Sequence, residues 1–219
     1  MKNKAALINH TNLSPTASDL AIKRLCLDAR EQGFRSVCVL PVQVPCAAKE
    51  LTGTEIEIAT VIGFPLGGNT QEIKLAETLQ ALQDEATAIE LCLNVPRFKS
   101  RDDAYVEKEI TSVVKAARKA VVKVIIDEAY FDREEMAKAC KIAQISGAQV
   151  IKASTGFSKS IANLETIAFI RHLMPELKIE ACGGIYLRET METLLAAGAD
   201  YLATSAGMAI MQEYRSRQE

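Results

Sequence analysis

Short hydrophobic runs recur along the chain, and longer amphipathic stretches separate them. The runs are rich in Val, Ile and Leu and are bounded by polar residues or glycine, as the buried strands of a parallel sheet are. Eight strands are therefore predicted, at 5–9, 36–40, 55–62, 88–94, 121–127, 148–154, 177–181 and 200–204.

The stretches between the predicted strands carry apolar residues at helical spacing. Helices are predicted over 16–32, 71–85 and 103–119. Their buried faces are expected to consist of Leu20, Ile22, Leu25, Cys26 and Ala29, of Ile73, Leu75, Leu79 and Leu82, and of Val106, Ile110, Val113 and Val114.

The order of these elements predicts the fold. Eight strand and helix pairs follow one another at spacings of about 20 to 35 residues, which is close to the size of a βαβ unit. No linker-like segment interrupts them, so we predict an α/β fold, a single-domain (β/α)8 TIM barrel over residues 1–219. An open, doubly wound sheet is the alternative, because the periodicity does not show closure.

Composition narrows the class of partner. The chain has 26 Lys and Arg against 28 Asp and Glu, which gives a net charge of −2. It therefore lacks the overall positive charge that would attract nucleic acid or an anionic membrane. No segment reaches the roughly 18 apolar residues of a membrane span, and the first residues lack a signal-peptide core. The six cysteines are scattered, as reduced thiols are. We expect a cytoplasmic protein that acts on a small molecule.

Charged residues interrupt the apolar runs of four successive predicted strands. They are Glu90, Lys123, Asp127, Lys152 and Glu180. Each alone is explained by a strand end that reaches solvent or by a structural ion pair. Buried charges are costly, however, and five on consecutive strands favour one shared site at the carboxyl end of the barrel, where the charges partner one another.

Lys152 is the candidate nucleophile of this site. A lysine at the end of a buried strand can form a Schiff base with a carbonyl substrate, provided that its amine is neutral. The iminium then stabilises a carbanion on the adjacent carbon, which makes or breaks carbon–carbon bonds. Neither a cofactor nor a metal is required, and His10 and His172 lie too far apart in sequence to suggest a metal site.

Small and hydroxyl-bearing residues follow three of the predicted strands. Ser154, Thr155 and Gly156 come directly after Lys152. Gly183 and Gly184 follow the seventh strand, and Ser205 follows the eighth, where barrel enzymes commonly hold a phosphate on backbone N–H groups. A simple turn is the alternative explanation for the two glycines.

Several motifs resemble the deoxyribose-phosphate aldolase family, from Leu7 to Ser205. They are Val61-Ile62-Gly63-Phe64-Pro65-Leu66-Gly67, Lys74-x-x-Glu77, Lys123-Val124-Ile125-Ile126, Ile151-Lys152-Ala153-Ser154-Thr155-Gly156-Phe157 and Gly183-Gly184-Ile185. The resemblance implies a (β/α)8 class I aldolase that cleaves 2-deoxyribose 5-phosphate to glyceraldehyde 3-phosphate and acetaldehyde. It also implies that Lys152 forms the imine and that Asn9 and Thr11 belong to the substrate site.

The chain departs from the family's pattern at the site itself. The pattern has Asp, Asp, Glu, Lys, Arg, Gly and Ser at the positions that are here Asn9, Glu90, Asp127, Glu180, Tyr186, Ala203 and Ala206. Three carboxylates around Lys152 favour its protonated form, and loss of the arginine weakens phosphate binding. A carboxylate at Glu180 could act instead as general acid or base.

Three hypotheses about function therefore stay open. The first is the family's own reaction with altered acid and base groups. The second is a divergent Schiff-base enzyme that makes or breaks another carbon–carbon bond, or closes a ring, on a substrate that need not carry phosphate. The third is a non-catalytic paralogue that binds a metabolite or a partner. A homodimer is expected, because two-fold dimers are the commonest oligomers.

Overall fold

The computed structural model describes residues 4–157 and 161–216. Its eight parallel strands form one closed barrel in sequence order. They are β1 (Ile8–Asn12), β2 (Ser36–Val39), β3 (Glu57–Ile62), β4 (Ala88–Cys92), β5 (Val121–Ile126), β6 (Val150–Ala153), β7 (Lys178–Cys182) and β8 (Tyr201–Thr204). Because β1 pairs with β8, the sheet has no edge, which confirms the predicted TIM barrel and excludes the open sheet.

Helices alternate with the strands and cover the outside of the barrel. Within the described residues they are α1 (Asp19–Gln32), α2 (Val44–Leu51), α3 (Gln71–Gln83), α4 (Val95–Lys99), α5 (Asp103–Ala117), α6 (Arg133–Ile145), α7 (Leu164–Leu173), α8 (Arg188–Ala196) and α9 (Gly207–Arg215). None of these helices is long and apolar enough to cross a bilayer. The boundaries 1–219 of the domain stay a prediction, since residues 1–3, 158–160 and 217–219 lie outside the described part.

Two hydrophobic cores result from this architecture. The larger one lies between the sheet and the helices, and a smaller one fills one side of the barrel interior. The interior core consists of Leu13, Cys38, Ala59, Val61, Ala88, Cys92 and Ile125. These residues come mainly from β2 to β5, which leaves the other side of the interior to polar and charged side chains.

The first strand begins three residues later than predicted. Residues Lys4–Leu7 form a 3-10 turn, and β1 continues through polar Asn9 to Asn12. A polar run in the sequence suggests the end of a strand, but here Asn9 has buried hydrogen-bond partners on β2 and β7. Polar side chains that find partners inside a barrel do not end the strand that carries them.

Two predicted helix faces are also wrong in part. Leu20 in α1 is exposed, and so are Ile73 and Leu79 in α3. The buried face of α3 instead carries Lys74 and Thr78. Lys74 is buried because it forms an ion pair with Glu109 of α5 at 2.6 Å, so a charge takes a place that the apolar pattern assigned to leucine and isoleucine.

Candidate active site

Four charged side chains from β4 to β7 meet inside the barrel and form what we call the charge ring: Glu90, Lys123, Lys152 and Glu180. Strand register places Glu90 beside Lys123 and Lys152 beside Glu180. Each residue is at most 1% exposed. The sequence prediction that these charges share one site therefore agrees with the geometry, whereas their chemical roles stay predictions.

Every carboxylate of the charge ring touches both ammonium groups. Glu90 Oε1 lies 3.0 Å from Lys123 Nζ, and Glu90 Oε2 lies 2.5 Å from Lys152 Nζ. Glu180 Oε2 lies 2.6 Å from Lys123 Nζ, and Glu180 Oε1 lies 3.3 Å from Lys152 Nζ. Two positive and two negative charges alternate around the ring, so the ring is neutral as a whole and its burial is tolerated.

The ring holds its lysines charged. Burial alone would lower the pKa of Lys152, but the neighbouring carboxylates, above all Glu90, outweigh burial and hold that pKa well above 10.5. Burial alone would raise the pKa of Glu90, but Lys152 and Lys123 lower it to about 2. The resting state therefore contains an ammonium at Lys152, as the acid-rich sequence predicts, and imine formation requires that a proton leave it first.

Polar residues of β1 and β2 extend the ring. Ser36 Oγ donates a hydrogen bond of 2.7 Å to Asn9 Oδ1, and Asn9 Nδ2 donates to Glu180 Oε2. Cys38 Sγ lies 3.4 Å from Glu90 Oε2. Asn9 is fully buried, and its side chain is bound to Ser36 and to the ring, so its contact with substrate stays a prediction.

A cavity of about 330 Å³ opens at the carboxyl end of the barrel, beside the ring. Strand ends and the loops that follow them line it: Thr11, Asn12, Leu13, Ser14, Thr155, Gly156, Phe157, Cys182, Gly183, Gly184, Ile185, Tyr186, Ala203, Thr204 and Ser205. Six of the predicted substrate-binding residues are among them, namely Thr11, Thr155, Gly156, Gly183, Gly184 and Ser205. Asn9 and Ser154 are not, since both are fully buried.

Cys182 separates the charge ring from the cavity. It follows Glu180 by two residues on β7, so it points into the barrel one layer nearer the carboxyl end. It lines the cavity and is itself 6% exposed, and Lys152 is the nearest cation that acts on its thiol. Cys182 therefore lies between the cavity and the layer of the barrel that holds Glu180.

Asp127 lies apart from the ring, although the sequence placed it in the catalytic group. Thr155 donates to Asp127 Oδ2 through its hydroxyl at 2.5 Å and through its backbone N–H at 3.2 Å. The other oxygen, Oδ1, accepts from Ala129 N at 3.2 Å. Asp127 therefore anchors the turn that carries Thr155 and Gly156 into the cavity wall.

Glycines shape the same wall. Gly184 has φ +69°, and a Cβ there would lie 2.5 Å from Ile161 Cγ2, so any larger residue would be both strained and in collision. Gly183 also has a positive φ of 96°. The backbone at this turn can thus approach a ligand more closely than a chain with side chains could.

Among the described residues, no Lys or Arg lines the cavity. Tyr186, at the position where the family's pattern has arginine, is exposed at the mouth. The wall offers hydroxyls of Thr11, Thr155 and Ser205 and backbone groups. Within the described part of the chain, no three His, Cys, Asp or Glu side chains cluster as metal ligands would.

Sequence reasoning missed several cavity residues. Leu13 and Phe157 lie in the loops after strands, and that position was the available signal. Cys182 also lines the cavity, and a small apolar residue near the end of a strand gives no specific sequence signal for that position. Phe157 packs edge-on against Phe64 with ring centroids 5.0 Å apart, a contact that depends on two loops 93 residues apart in sequence.

The sequence of this chain is similar to a family of aldolases. The DeoC/LacD family aldolase model matches residues 6–213. Deoxyribose-phosphate aldolase 2 of Bacillus licheniformis is 43% identical over 217 residues, which cover 98% of this chain and 97% of that protein. The deoxyribose-phosphate aldolase of Caldanaerobacter subterraneus is 40% identical over 221 residues, covering 99% and 96%.

Solved structures show the same relationship. QR15, an aldolase, superposes with a TM-score of 0.95 at 33% identity and covers 100% of this chain and 98% of its own. The tetrameric deoxyribose phosphate aldolase from Aeropyrum pernix superposes with a TM-score of 0.91 at 28% identity, covering 98% and 92%. From its family model, its relatives and its barrel, this chain belongs to the DeoC/LacD family of aldolases.

Proposed function

We propose that this chain is a class I aldolase, a lyase that cleaves 2-deoxyribose 5-phosphate to glyceraldehyde 3-phosphate and acetaldehyde through an imine on Lys152. One observation carries the proposal: a buried lysine at the end of β6 contacts two carboxylates and lies beneath a cavity at the carboxyl end of the barrel. The deoxyribose-phosphate aldolases named above, at 40–43% identity over nearly the whole chain, support it.

The first step is loss of a proton from Lys152. Glu90 Oε2, at 2.5 Å from the ammonium nitrogen, is the nearest acceptor. The neutral amine then adds to the aldehyde carbon of the open-chain sugar, and the carbinolamine loses its hydroxyl as water after a carboxylic acid returns the proton. The product of this step is the iminium on Lys152.

The iminium then accepts the electrons of the breaking bond. A carboxylate takes the proton of the sugar's C3 hydroxyl, the C2–C3 bond breaks, and its electron pair forms the enamine while glyceraldehyde 3-phosphate leaves. A proton added to the enamine carbon and attack by water release acetaldehyde and restore the lysine. Glu180 Oε1, at 3.3 Å from Lys152 Nζ, is the proposed acid and base for the carbon.

The remaining charged residues support these steps. Lys123 touches both carboxylates of the charge ring, and together with Lys152 it lowers the pKa of Glu90, so that Glu90 is ionised and can accept a proton. Asp127 holds Thr155, which faces the cavity. These roles for Lys123 and Asp127 belong to the proposal.

The phosphate of this substrate fits the wall formed by Gly183, Gly184 and Ser205. Backbone N–H groups and a hydroxyl can bind phosphate oxygens, and α9 begins at Gly207, two residues after Ser205, so its positive end faces this wall. Thr11, Thr155 and Gly156 would contact the sugar.

A second substrate class is favoured by one specific observation: at the position where the family's pattern has arginine, this chain has Tyr186, which lines the cavity and is exposed at its mouth. Phosphate dianions are usually paired with a cation, and a tyrosine does not supply one. An aldol without phosphate, split by the same imine chemistry, would not need that cation. Activity on 2-deoxyribose 5-phosphate that exceeds activity on 2-deoxyribose by tenfold or more supports the phosphorylated substrate, and equal activity supports the second class.

Borohydride trapping tests the imine. Incubation with acetaldehyde and borohydride should add a reduced two-carbon group to Lys152, which peptide mass spectrometry locates. A panel of aldehydes and ketones, with and without phosphate, extends the test. Absence of any adduct across the panel would remove the Schiff-base mechanism and would leave a binding protein as the remaining explanation.

The proposed enzyme is cytoplasmic and forms a homo-oligomer. All six cysteines are free thiols, which suits a reducing compartment. One structural neighbour, the aldolase from Aeropyrum pernix, is described as a tetramer, whereas we expect a dimer for this chain. Light scattering on the purified protein distinguishes monomer, dimer and tetramer.

A further inference from the structure

Asn9 is the one polar side chain of β1 that joins the charge ring, and it has no place in the mechanism above. We propose that Asn9 is a positioning residue that holds the Glu180 carboxylate so that Oε1 faces Lys152. This inference rests on the proposed function, because it concerns how the general base of that reaction is aimed.

The hydrogen bonds fix which atom of the Asn9 amide faces Glu180. Ser36 donates its hydroxyl proton to Asn9 Oδ1 at 2.7 Å, and strand register places the two residues side by side. The amide nitrogen is therefore turned toward Glu180 and donates to Oε2. Asn9, Ser36 and Glu180 are all fully buried, so no water competes for these bonds.

The two oxygens of Glu180 are consequently unequal. Oε2 accepts from Asn9 and also from Lys123 at 2.6 Å. Oε1 has no hydrogen-bond partner within the described residues and lies 3.3 Å from Lys152 Nζ. With Oε2 held by two donors, the carboxylate cannot turn away, and Oε1 stays available to accept a proton at the reacting nitrogen or its neighbouring carbon.

An amide suits this task because it donates a hydrogen bond without adding charge. A carboxylate at position 9 would place a second negative charge at hydrogen-bond distance from Glu180, and the two acids would then share one proton. Below the pKa of that shared proton the new acid would donate as the amide does. Above it, the pair would repel and Glu180 would lose its orientation.

Three variants test the proposal. Asn9→Asp is isosteric, Ser36→Ala removes the group that orients the amide, and Thr60→Val is a matched control. Thr60 is equally buried on β3, but its hydroxyl bonds Val39 O at 2.9 Å and touches no member of the ring. The activity readout is kcat and KM for aldol cleavage across pH 5 to 9.

We expect Asn9→Asp to lower kcat at neutral pH by about tenfold or more, with KM within twofold and with recovery as the pH falls. Ser36→Ala should lower kcat by a smaller factor than Asn9→Asp does, and kcat should not gain an additional dependence on pH. Thr60→Val should leave the shape of the pH profile unchanged. A profile for Asn9→Asp that matches Thr60→Val would overturn the proposal, because a merely structural asparagine would affect stability alone.

A second readout does not depend on turnover. In protein with ¹³C-labelled glutamate, the Glu180 carboxyl signal is identified by its loss in Glu180→Gln, and its titration is followed by NMR. The titratable groups around Glu180 are Lys123, Lys152 and Glu90, with the thiols of Cys38 and Cys182, and Tyr201 is its register partner on β8.

Asn9→Asp leaves all of these in place, so a raised Glu180 titration midpoint in that variant reports the link to position 9. An unchanged midpoint would refute the link even if no aldehyde were ever turned over. Conversely, a shifted midpoint in a protein that gives no imine adduct would retain the positioning link and reject only the aldolase proposal.

Discussion

Two lysine side chains in this protein are buried to the same degree and are held in different ways. Lys152 lies inside the barrel between two carboxylates, whereas Lys74 lies outside the barrel between α3 and α5. Lys74 Nζ donates to Glu109 Oε1 at 2.6 Å and to Cys92 O at 2.9 Å. Glu109 in turn accepts a hydrogen bond from Asn94. The ion pair of Lys74 with Glu109, which we call the outer pair, is therefore held by fixed partners on both sides.

The pKa shifts of the two lysines run in opposite directions. Burial lowers the pKa of Lys74, and the single carboxylate of Glu109 offsets that effect only in part. In the charge ring two carboxylates reverse the effect of burial, and the pKa of Lys152 is raised. The acidic groups around each ammonium decide whether the effect of burial is reversed, and at Lys152 Glu90 contributes most.

This contrast shows that a lowered lysine pKa does not identify a nucleophile. Lys74 has the lowered pKa that Schiff-base chemistry requires, but its backbone and side-chain partners enclose it outside the barrel. Lys152 has the wrong resting protonation state, but it lies beside the cavity and beside proton acceptors that can change that state. Position relative to the cavity therefore outweighs resting pKa in assigning the chemistry.

The largest expected effect comes from removing the amine of Lys152. Lys152→Met should abolish the borohydride adduct and reduce aldol cleavage by at least about a thousandfold, because no other group can form the imine. Lys123→Met is the matched control within the same ring, and it should still yield an adduct on Lys152. An adduct of equal yield in Lys152→Met would contradict the assignment of Lys152, rather than another lysine, as the nucleophile.

Next in size is the effect of breaking the outer pair. Lys74→Met should lower the free energy of unfolding by about 3–5 kcal/mol, because Glu109 is left as an uncompensated buried charge. The double variant Lys74→Met with Glu109→Leu should regain much of that loss. Urea denaturation measures both, and trapping at Lys152 in the folded fraction should persist. A loss of trapping there would mean that Lys74 takes part in the chemistry.

Acid should weaken the ring at a predictable pH. The pKa of Glu90 is about 2 in the folded protein against 4.5 for an unperturbed glutamate, so its stabilising contribution is full above pH 4.5 and is lost as the pH falls toward 2. This amounts to roughly 3 kcal/mol in the free energy of unfolding. Denaturation curves measured from pH 6 to 2.5 check this contribution. In Glu90→Gln the free energy of unfolding should fall less steeply as the pH decreases.

The smallest effect concerns the pH at which imine forms. Glu180→Gln removes one of the two negative charges at Lys152, so the half-maximal pH for borohydride trapping should move down by about one unit. Glu109→Gln, the corresponding change at the outer pair, should leave that pH unchanged. Equal shifts in the two variants would mean that the ring does not set the protonation state of Lys152.

The sequence predicted the strands well because their signal is local. Runs such as the one that carries Lys123 are apolar on both faces, and the structure places a strand at each run. The face of α3 was wrong because burial of Lys74 depends on Glu109, which lies 35 residues away. Helical periodicity carries no information about a partner on another helix.

The charge ring was foreseen as a meeting of strand-end charges, but its connectivity was not. That Asn9 binds Glu180 depends on closure of the barrel, which brings β1 near β7 and which no local pattern reports. Likewise, alternation along β7 placed Cys182 inward but did not show that a cavity begins there. Residue types and strand ends are readable in the sequence, whereas contacts between distant strands are not.

The hydrogen bond from Asn9 to Glu180 joins residues that are 171 positions apart in the chain. At a synthesis rate of about 5–20 residues per second, Asn9 leaves the ribosome roughly 10 to 30 seconds before its partner exists. Lys123 can meet Glu90 earlier, across 33 residues, but the second carboxylate arrives only with β7. The electrostatic environment of the nucleophile is thus complete only after β7 has been synthesised, and a chain truncated before β7 does not contain it.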